Sequence, residues 1–156
     1  MSLRTNKQLK HFKTMKKFIL SIVATLVLGL LSFSASAQTT YRGYTDSFGN
    51  TTVTGSNGYR STSYTDSFGN TTTRTNNGVT YNTRTDSFGN TTTTGSNGYR
   101  STSYTDSFGN TTTRTNNGTT YRSYTDSFGN TTTTGSNGYR ATSQTDSFGN
   151  TTIRIW

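Results

Sequence analysis

The sequence predicts an all-β protein of six tandem 20-residue β-hairpin repeats, about twelve short antiparallel strands in a ring, flower or spiral (solenoid) array, behind a helical signal peptide. Three observations carry that prediction. The hexapeptide TDSFGN recurs at an unvarying spacing of twenty residues, starting at Thr45, Thr65, Thr85, Thr105, Thr125 and Thr145. Between its copies lie Thr-, Tyr- and Ser-rich stretches of strand length and composition. Residue types also sort by odd and even position, which is the signature of a strand.

The N-terminus comes first. From Met15 the chain reads MKKFILSIVATLVLGLLSFSASAQ: Lys16 and Lys17, an apolar run from Phe18 to Leu31, then Ala35-Ser36-Ala37 as a small-residue cleavage site. The run is shorter than the roughly 20 residues that span a bilayer. It is read as a cleavable bacterial secretory signal, so residues 1–37 are extension and leader and residues 38–156 are the repeat domain. Met15 is the expected true start. The chain contains no Cys, which excludes a disulfide framework and a lipid-modified cysteine.

Charge follows from that division. The chain's formal +9 includes Arg4, Lys7, Lys10, Lys13, Lys16 and Lys17 of the leader. Residues 38–156 hold nine Arg against six Asp, a net of +3, and no Lys, Glu, His, Cys or Pro. So mild an excess gives no case for a nucleic-acid partner. Contact with a membrane is expected only during export.

Fixed periodicity means one supersecondary unit copied in tandem. Each unit carries two turn signals, except the shorter last one, 139–156, which carries only the first. Asp46-Ser47-Phe48-Gly49, with Asp first and Gly fourth, suits a type I turn followed by a left-handed Gly, a three-residue hairpin connection. The equivalent Asp and Gly pairs are Asp66 and Gly69, Asp86 and Gly89, Asp106 and Gly109, Asp126 and Gly129, and Asp146 and Gly149. The second signal is Ser56-Asn57-Gly58, alternating with Asn76-Asn77-Gly78, where Asn-Gly is a strong short hairpin marker because both residues tolerate positive φ.

Parity then assigns the faces. All nine Arg of residues 38–156 fall at even positions, whereas Val53, Val79, Ala141, Ile153 and Ile155 fall at odd ones, with Tyr41, Tyr59, Tyr81, Tyr99, Tyr121 and Tyr139. The odd face is expected inward and the even face toward solvent. Inward Tyr alternates between two positions in successive units, so the true period is forty residues in three copies. Offset rings are expected to meet a Ser, Thr or Gly beside them. Phe48 and its copies Phe68, Phe88, Phe108, Phe128 and Phe148 are expected to fold over an end of the sheet. Even so the apolar supply is thin, and the fold is expected to lean on its hydrogen-bond ladder, on Thr and Tyr packing, or on self-association.

That thinness restricts the architecture. An outer-membrane barrel needs strands of about 9 to 11 residues and an apolar outward face. A three-copy trefoil matches the forty-residue arithmetic but lacks the aliphatic core such folds fill. A ring, flower or two-strand-per-turn solenoid fits better, with the apolar last strand, 151–156, as its cap.

The run Gly58, six residues, then Thr65-Asp66-Ser67-Phe68-Gly69-Asn70 resembles the YD repeats of the RHS family, in which a Tyr-Asp pair precedes two residues, a Gly, and Arg or Asn. It is also similar to short exported bacterial proteins described as β-flowers. The likeness covers residues 39–156 and implies hairpin architecture rather than a particular activity. This chain departs from the YD pattern in placing Thr directly before Asp, with Tyr44, Tyr64, Tyr104 and Tyr124 one place earlier.

The chemistry-bearing residues are few. Six Asp at fixed spacing, each followed four residues later by Asn, have the look of calcium sites, but one carboxylate per site is thin for Ca²⁺, and Asp46 and its copies are expected to accept bonds within their own turns. No metal, cofactor or catalytic set is expected: a base tuned near neutrality is missing from the palette, so the protein is not read as an enzyme. The outward pairs Arg42 with Tyr44, Arg60 with Tyr64, Arg100 with Tyr104 and Arg122 with Tyr124 form a candidate ligand face, since Arg and exposed Tyr stack on sugars, bases or protein. The expected role is that of an exported, non-catalytic repeat protein of the periplasm or cell surface, structural or surface-interacting. Its expected partners are further copies of itself or a cell-surface polysaccharide or protein. Two alternatives stand beside that role: a curli-like amyloid subunit, since near-identical Pro-free strands template further copies, and a carbohydrate-binding module using the Arg and Tyr face.

Overall fold

A computed structural model describes residues 38–156; the signal peptide expected over residues 1–37 lies outside the described residues. Twelve strands follow one another: β1 (Thr39–Thr45), β2 (Thr51–Gly55), β3 (Arg60–Thr65), β4 (Thr71–Thr75), β5 (Thr80–Thr85), β6 (Thr91–Gly95), β7 (Arg100–Thr105), β8 (Thr111–Thr115), β9 (Thr120–Thr125), β10 (Thr131–Gly135), β11 (Arg140–Thr145) and β12 (Thr151–Ile155). Each pairs antiparallel with its neighbours in sequence, and β12 pairs with β1, closing the sheet into a barrel. Of the arrangements the repeat allows, this is the closed ring and not the open solenoid. The last strand does not cap the array, as its sequence leads one to expect. It lies between β11 and β1 and joins the two ends of the chain.

Closure follows from a small register step. Arg42 opposes Thr54 and Thr54 opposes Arg60, so crossing one hairpin moves two residues along the unit, from its fourth residue to its second. Six such steps give a shear of about 12 residues over twelve strands, and hence a strand tilt of about 35–40° and a backbone radius on the order of 11 Å.

Both turns have one geometry. Gly49 N donates to Asp46 O at 3.1 Å, Asp46 N donates to Asn50 O at 2.9 Å, and Gly49 has φ 84°, the expected type I turn with a left-handed glycine. At the second turn Gly58 N donates to Gly55 O at 3.0 Å and Gly55 N to Tyr59 O at 2.8 Å, with φ 82° at Gly58 and no positive φ at any described non-glycine residue. Of the two residues that tolerate positive φ, only Gly58 takes it. The reason is parity: Gly55 and Tyr59 both face inward, so an odd number of residues must separate them, and a two-residue turn would put Tyr59 on the outer wall. Asn57 keeps negative φ and instead accepts a hydrogen bond from Tyr59 N at 3.1 Å.

The parity assignment holds along the strands up to the crown end, where the odd residues Thr65, Thr105, Thr125 and Thr145 are exposed. Tyr41, Tyr59, Tyr81, Tyr121, Tyr139, Val53, Ala141, Ile153 and Ile155 are buried, as are inward Thr and Ser such as Thr73, Ser61 and Thr93, while every Arg of the described residues is exposed. Much of the lining is hydrogen-bonded polar surface rather than oil. Ser63 and Thr73 share a hydroxyl bond of 2.7 Å, Thr83 and Thr93 one of 2.9 Å, Ser103 and Thr113 and also Ser123 and Thr133 ones of 2.8 Å. Each joins two directly opposed residues, so these four hydroxyl pairs have their partners built into the register.

The lining changes where the ends of the chain meet. There Gly43 opposes Val53, Ser143 opposes Ile153, Ala141 opposes Ile155, and Tyr41 opposes Ile153 across the β1–β12 pair. Four of the five aliphatic residues of the barrel, all but Val79, thus gather at the closure seam. Pairing β1 with β12 is the most distant contact in the chain and bears the largest loop-closure entropy. Apolar burial is concentrated where that cost falls.

Candidate functional site: the two ends and the outer wall

An up-and-down barrel sends alternate turns to opposite ends. All six TDSFGN turns lie at one end; the five Asn-Gly turns, Thr39 and Trp156 lie at the other. The two ends differ in chemistry.

Toward the Asn-Gly end the inward aromatic rings meet in pairs. Tyr41 and Tyr59 meet edge to face with centroids 5.8 Å apart, Tyr81 and Tyr99 at 5.8 Å, and Tyr121 and Tyr139 at 5.5 Å. The ring of Tyr41 lies over Gly55, which it opposes in the register, and Tyr81 and Tyr121 lie over Gly95 and Gly135 in the same way. Asn57 Nδ2 donates to Tyr41 Oη at 3.2 Å. Burial pushes the phenols of Tyr41, Tyr59, Tyr81, Tyr99, Tyr121 and Tyr139 above their ordinary value of 10.0, because a phenolate would be stranded away from water. The Asn-Gly turns are stapled to neighbouring strands: Ser56 Oγ accepts from Thr40 N at 3.2 Å, and Asn76 accepts from Arg60 N at 3.1 Å while donating to Gly58 O at 3.0 Å. These two staples are the physical content of the Ser-Asn-Gly and Asn-Asn-Gly alternation.

At the other end each Asp locks its own turn. Asp46 Oδ1 accepts from Phe48 N at 2.9 Å and from Asn50 N at 2.8 Å, and Oδ2 accepts from Asn50 Nδ2 at 3.0 Å. The same set recurs at Asp66, Asp86, Asp106, Asp126 and Asp146. The Asn side chain foremost, then its backbone N–H, holds each carboxyl below its ordinary 3.8. The carboxylates stand apart, one per turn, and no cluster of His, Cys, Asp or Glu able to hold a metal ion occurs among the described residues.

The phenylalanines overturn the expectation placed on them. Phe48, Phe68, Phe88, Phe108, Phe128 and Phe148 do not fold over the sheet but are 88–90% exposed. Each sits third in its four-residue turn, flanked by a Ser and a left-handed Gly, and that position aims its ring off the tip. Six rings therefore crown one end of the barrel. This is the feature that reading the sequence missed; the fixed place of Phe between Ser and Gly is the signal that would have found it.

The candidate ligand face is spread over the outer wall. Tyr44, Tyr64, Tyr104 and Tyr124 are about half exposed and lie next to the Phe-bearing turns. Arg42 and Arg122, two residues away on their strands, accompany Tyr44 and Tyr124. Arg60 and Arg100 stand at the far ends of β3 and β7 from Tyr64 and Tyr104, so those two pairs do not converge on one site.

The fold therefore defines a closed barrel of hairpin repeats with an aromatic, acidic crown at one end. Comparison with known protein families, characterised proteins and solved structures returns no match to this chain.

Proposed function

We propose that the chain is an exported bacterial repeat protein with a structural or surface-interaction role and no catalytic one, related in design to the YD and β-flower hairpin repeats. The observation that supports this reading is the use made of its only acids: each of the six Asp carboxylates is committed to three hydrogen bonds within its own turn and stands alone, leaving no paired carboxylates and no imidazole to do chemistry among the described residues. What the barrel offers is repetition, the same turn presented six times on one face. Export rests on the leader read in residues 15–37.

A closed ring speaks for a presenting surface over a curli-like fibre grown by strand addition, since closure leaves no strand edge to template another chain. The outer wall of Thr and Arg, on strands of five to seven residues, is also unlike the apolar band of a membrane-spanning barrel. A second reading, a carbohydrate-binding module, draws on the exposed Tyr44, Tyr64, Tyr104 and Tyr124.

The test has two parts. Purified protein screened against hydrolase and transferase substrate panels is expected to be inert, and a saturable activity would overturn the non-catalytic reading. On a glycan panel, binding that disappears in the Tyr64→Ala, Tyr104→Ala double variant would establish the second reading, and absence of binding by the unaltered protein would dismiss it.

A further inference from the structure

The two ends of the barrel are of opposite charge. All six Asp lie in the crown turns at the tips beside the six exposed Phe. Six of the nine Arg of residues 38–156 lie near the other end, in three pairs: Arg60 with Arg74, Arg100 with Arg114, and Arg140 with Arg154. Within each pair the residues are diagonal neighbours on the outer wall, since Arg74 opposes Thr62, Arg114 opposes Thr102 and Arg154 opposes Thr142. Like charges so placed repel. An incoming carboxylate relieves that repulsion. Only Arg84 stands close to the crown, near enough to Asp66 to help keep its carboxyl ionised.

We propose that the crown of one copy docks on the arginine-belted end of another, building a head-to-tail stack of barrels. The occupant is a second copy because this chain supplies both complementary surfaces in matching number: six Phe and six Asp at one end, repeating every twenty residues, and six Arg at the other, in pairs repeating every forty, so that both share a three-fold repeat around the same axis. Guanidinium groups suit both partners at once, pairing with carboxylate and lying over a Phe face. Trp156, about half exposed, adds an aromatic surface at the receiving end. An end face on the order of 15 Å in radius presents about 700 Å², so one contact buries about 1,400 Å² over both copies, the area of a specific protein interface. A bilayer is the other surface that takes a ring of Phe, but six carboxylates at the tips oppose docking on an anionic one.

The contact is heterologous, so it does not close on a dimer and runs on into a stack. It gives the structural reading above a partner and rests on it. Failure to self-associate by a purified protein that is otherwise inert would overturn the stack and leave the non-catalytic reading standing.

The experiment is sedimentation velocity on the purified protein over a concentration series in low and high salt. The unaltered protein is expected to gain mass with concentration at low salt, and to lose at least about tenfold in association affinity on raising the salt, as exposed ion pairs are screened. Two variants cut the contact from either side: Phe68→Ser, Phe108→Ser, Phe148→Ser at the crown, and Arg60→Glu, Arg100→Glu, Arg140→Glu at the belt. Each alone is expected to remain a monomer, and an equimolar mixture to form a complex that stops at two, since one variant keeps its belt and the other its crown. All six substitutions replace exposed side chains, and far-ultraviolet circular dichroism checks that the barrel is retained. A monomer at every concentration of unaltered protein overturns the proposal without recourse to the variants. So does association of the belt variant with itself, which would mean crown-to-crown docking, or a mixture that stays monomeric. Phosphatidylcholine vesicles form the last arm: binding that the crown variant loses, by a protein that does not self-associate, would assign the crown to lipid instead.

Discussion

The ring of Tyr41 lies across Gly55 on the neighbouring strand, so close that a β-carbon at Gly55 would stand 2.7 Å from Tyr41 Cε1 and 2.5 Å from Asn57 Oδ1. In the alternate unit the same place is taken by Thr75, which opposes Ser61, a residue too small to reach it. The forty-residue period is thus a packing rule across the TDSFGN hairpins: where the third residue of a unit is Tyr, as at Tyr41, Tyr81 and Tyr121, its opposite is Gly, and where it is Ser, as at Ser61 and Ser101, its opposite is Thr.

Gly55→Ala is therefore expected to destabilise the barrel by about 1–3 kcal/mol through overpacking. Gly95→Ala should do the same, because Tyr81 stands over it in like fashion. Joining Tyr41→Ser with Gly55→Thr recreates the alternate arrangement and should recover much of the clash term. Urea unfolding of the two singles and the double gives the coupling directly. Additivity of the two singles would show that the ring does not meet the glycine.

The aliphatic seam should be the most sensitive part of the lining. Ile153→Ala and Ile155→Ala each delete a buried branched side chain, for an expected loss of about 2–5 kcal/mol. Thr113→Ser, by contrast, keeps the hydroxyl bonded to Ser103 and is expected to cost about 1 kcal/mol, the worth of one buried methyl group. Denaturant midpoints at constant slope test this ordering, and equal losses at all three positions would contradict it.

Stability should fall away on both sides of a broad pH range. The six turn carboxyls are held below 3.8 in the folded protein, so the stability they give is full above that value and is lost as pH falls beneath it through the lowered folded value. The buried phenols are raised above 10.0, so their contribution is full below pH 10 and is lost as pH climbs beyond it. Melting temperature is expected to be flat between the two limits, for no group with a shifted value among the described residues titrates there. Asp46→Asn should blunt the acid limb and Tyr41→Phe the alkaline one. A melting temperature that peaks sharply near neutrality would contradict the assignment.

Much of this architecture was legible because a period of two and a period of twenty are both written in residue types. Parity alone separated Arg60 and Arg74 from Tyr59 and Thr73, and burial follows that division. Parity also held the answer to the second turn, since Gly55 and Tyr59 cannot both face inward across a two-residue loop. Closure was not legible. It depends on the accumulated register step and on β12 reaching β1, and no local pattern in Thr151–Ile155 distinguishes a cap from a closing strand. The crown was hidden for a related reason. Hydrophobicity argues Phe48 inward, and only the turn geometry, with its third residue aimed off the tip, turns it out. The Tyr and Arg of the candidate ligand face were placed on the correct wall, yet pairing by sequence proximity brought Arg60 and Tyr64 together where the strand carries them to opposite ends.

Closure of the chain is the claim on which all of this depends, and a disulfide between its two end strands tests it most directly. Thr40 opposes Arg154 on the outer wall. Thr40 O accepts from Ser56 N on the β2 side, so toward β12 it occupies a non-hydrogen-bonded position, where opposed Cα atoms lie about 4.5 Å apart and within reach of a disulfide. In a protein without cysteine, Thr40→Cys with Arg154→Cys should oxidise within one chain, giving a monomer whose mass is lower by two hydrogens and whose melting temperature rises. Free thiols, or crosslinks only between chains, would mean that the first and last strands are apart and that the hairpins form an open array.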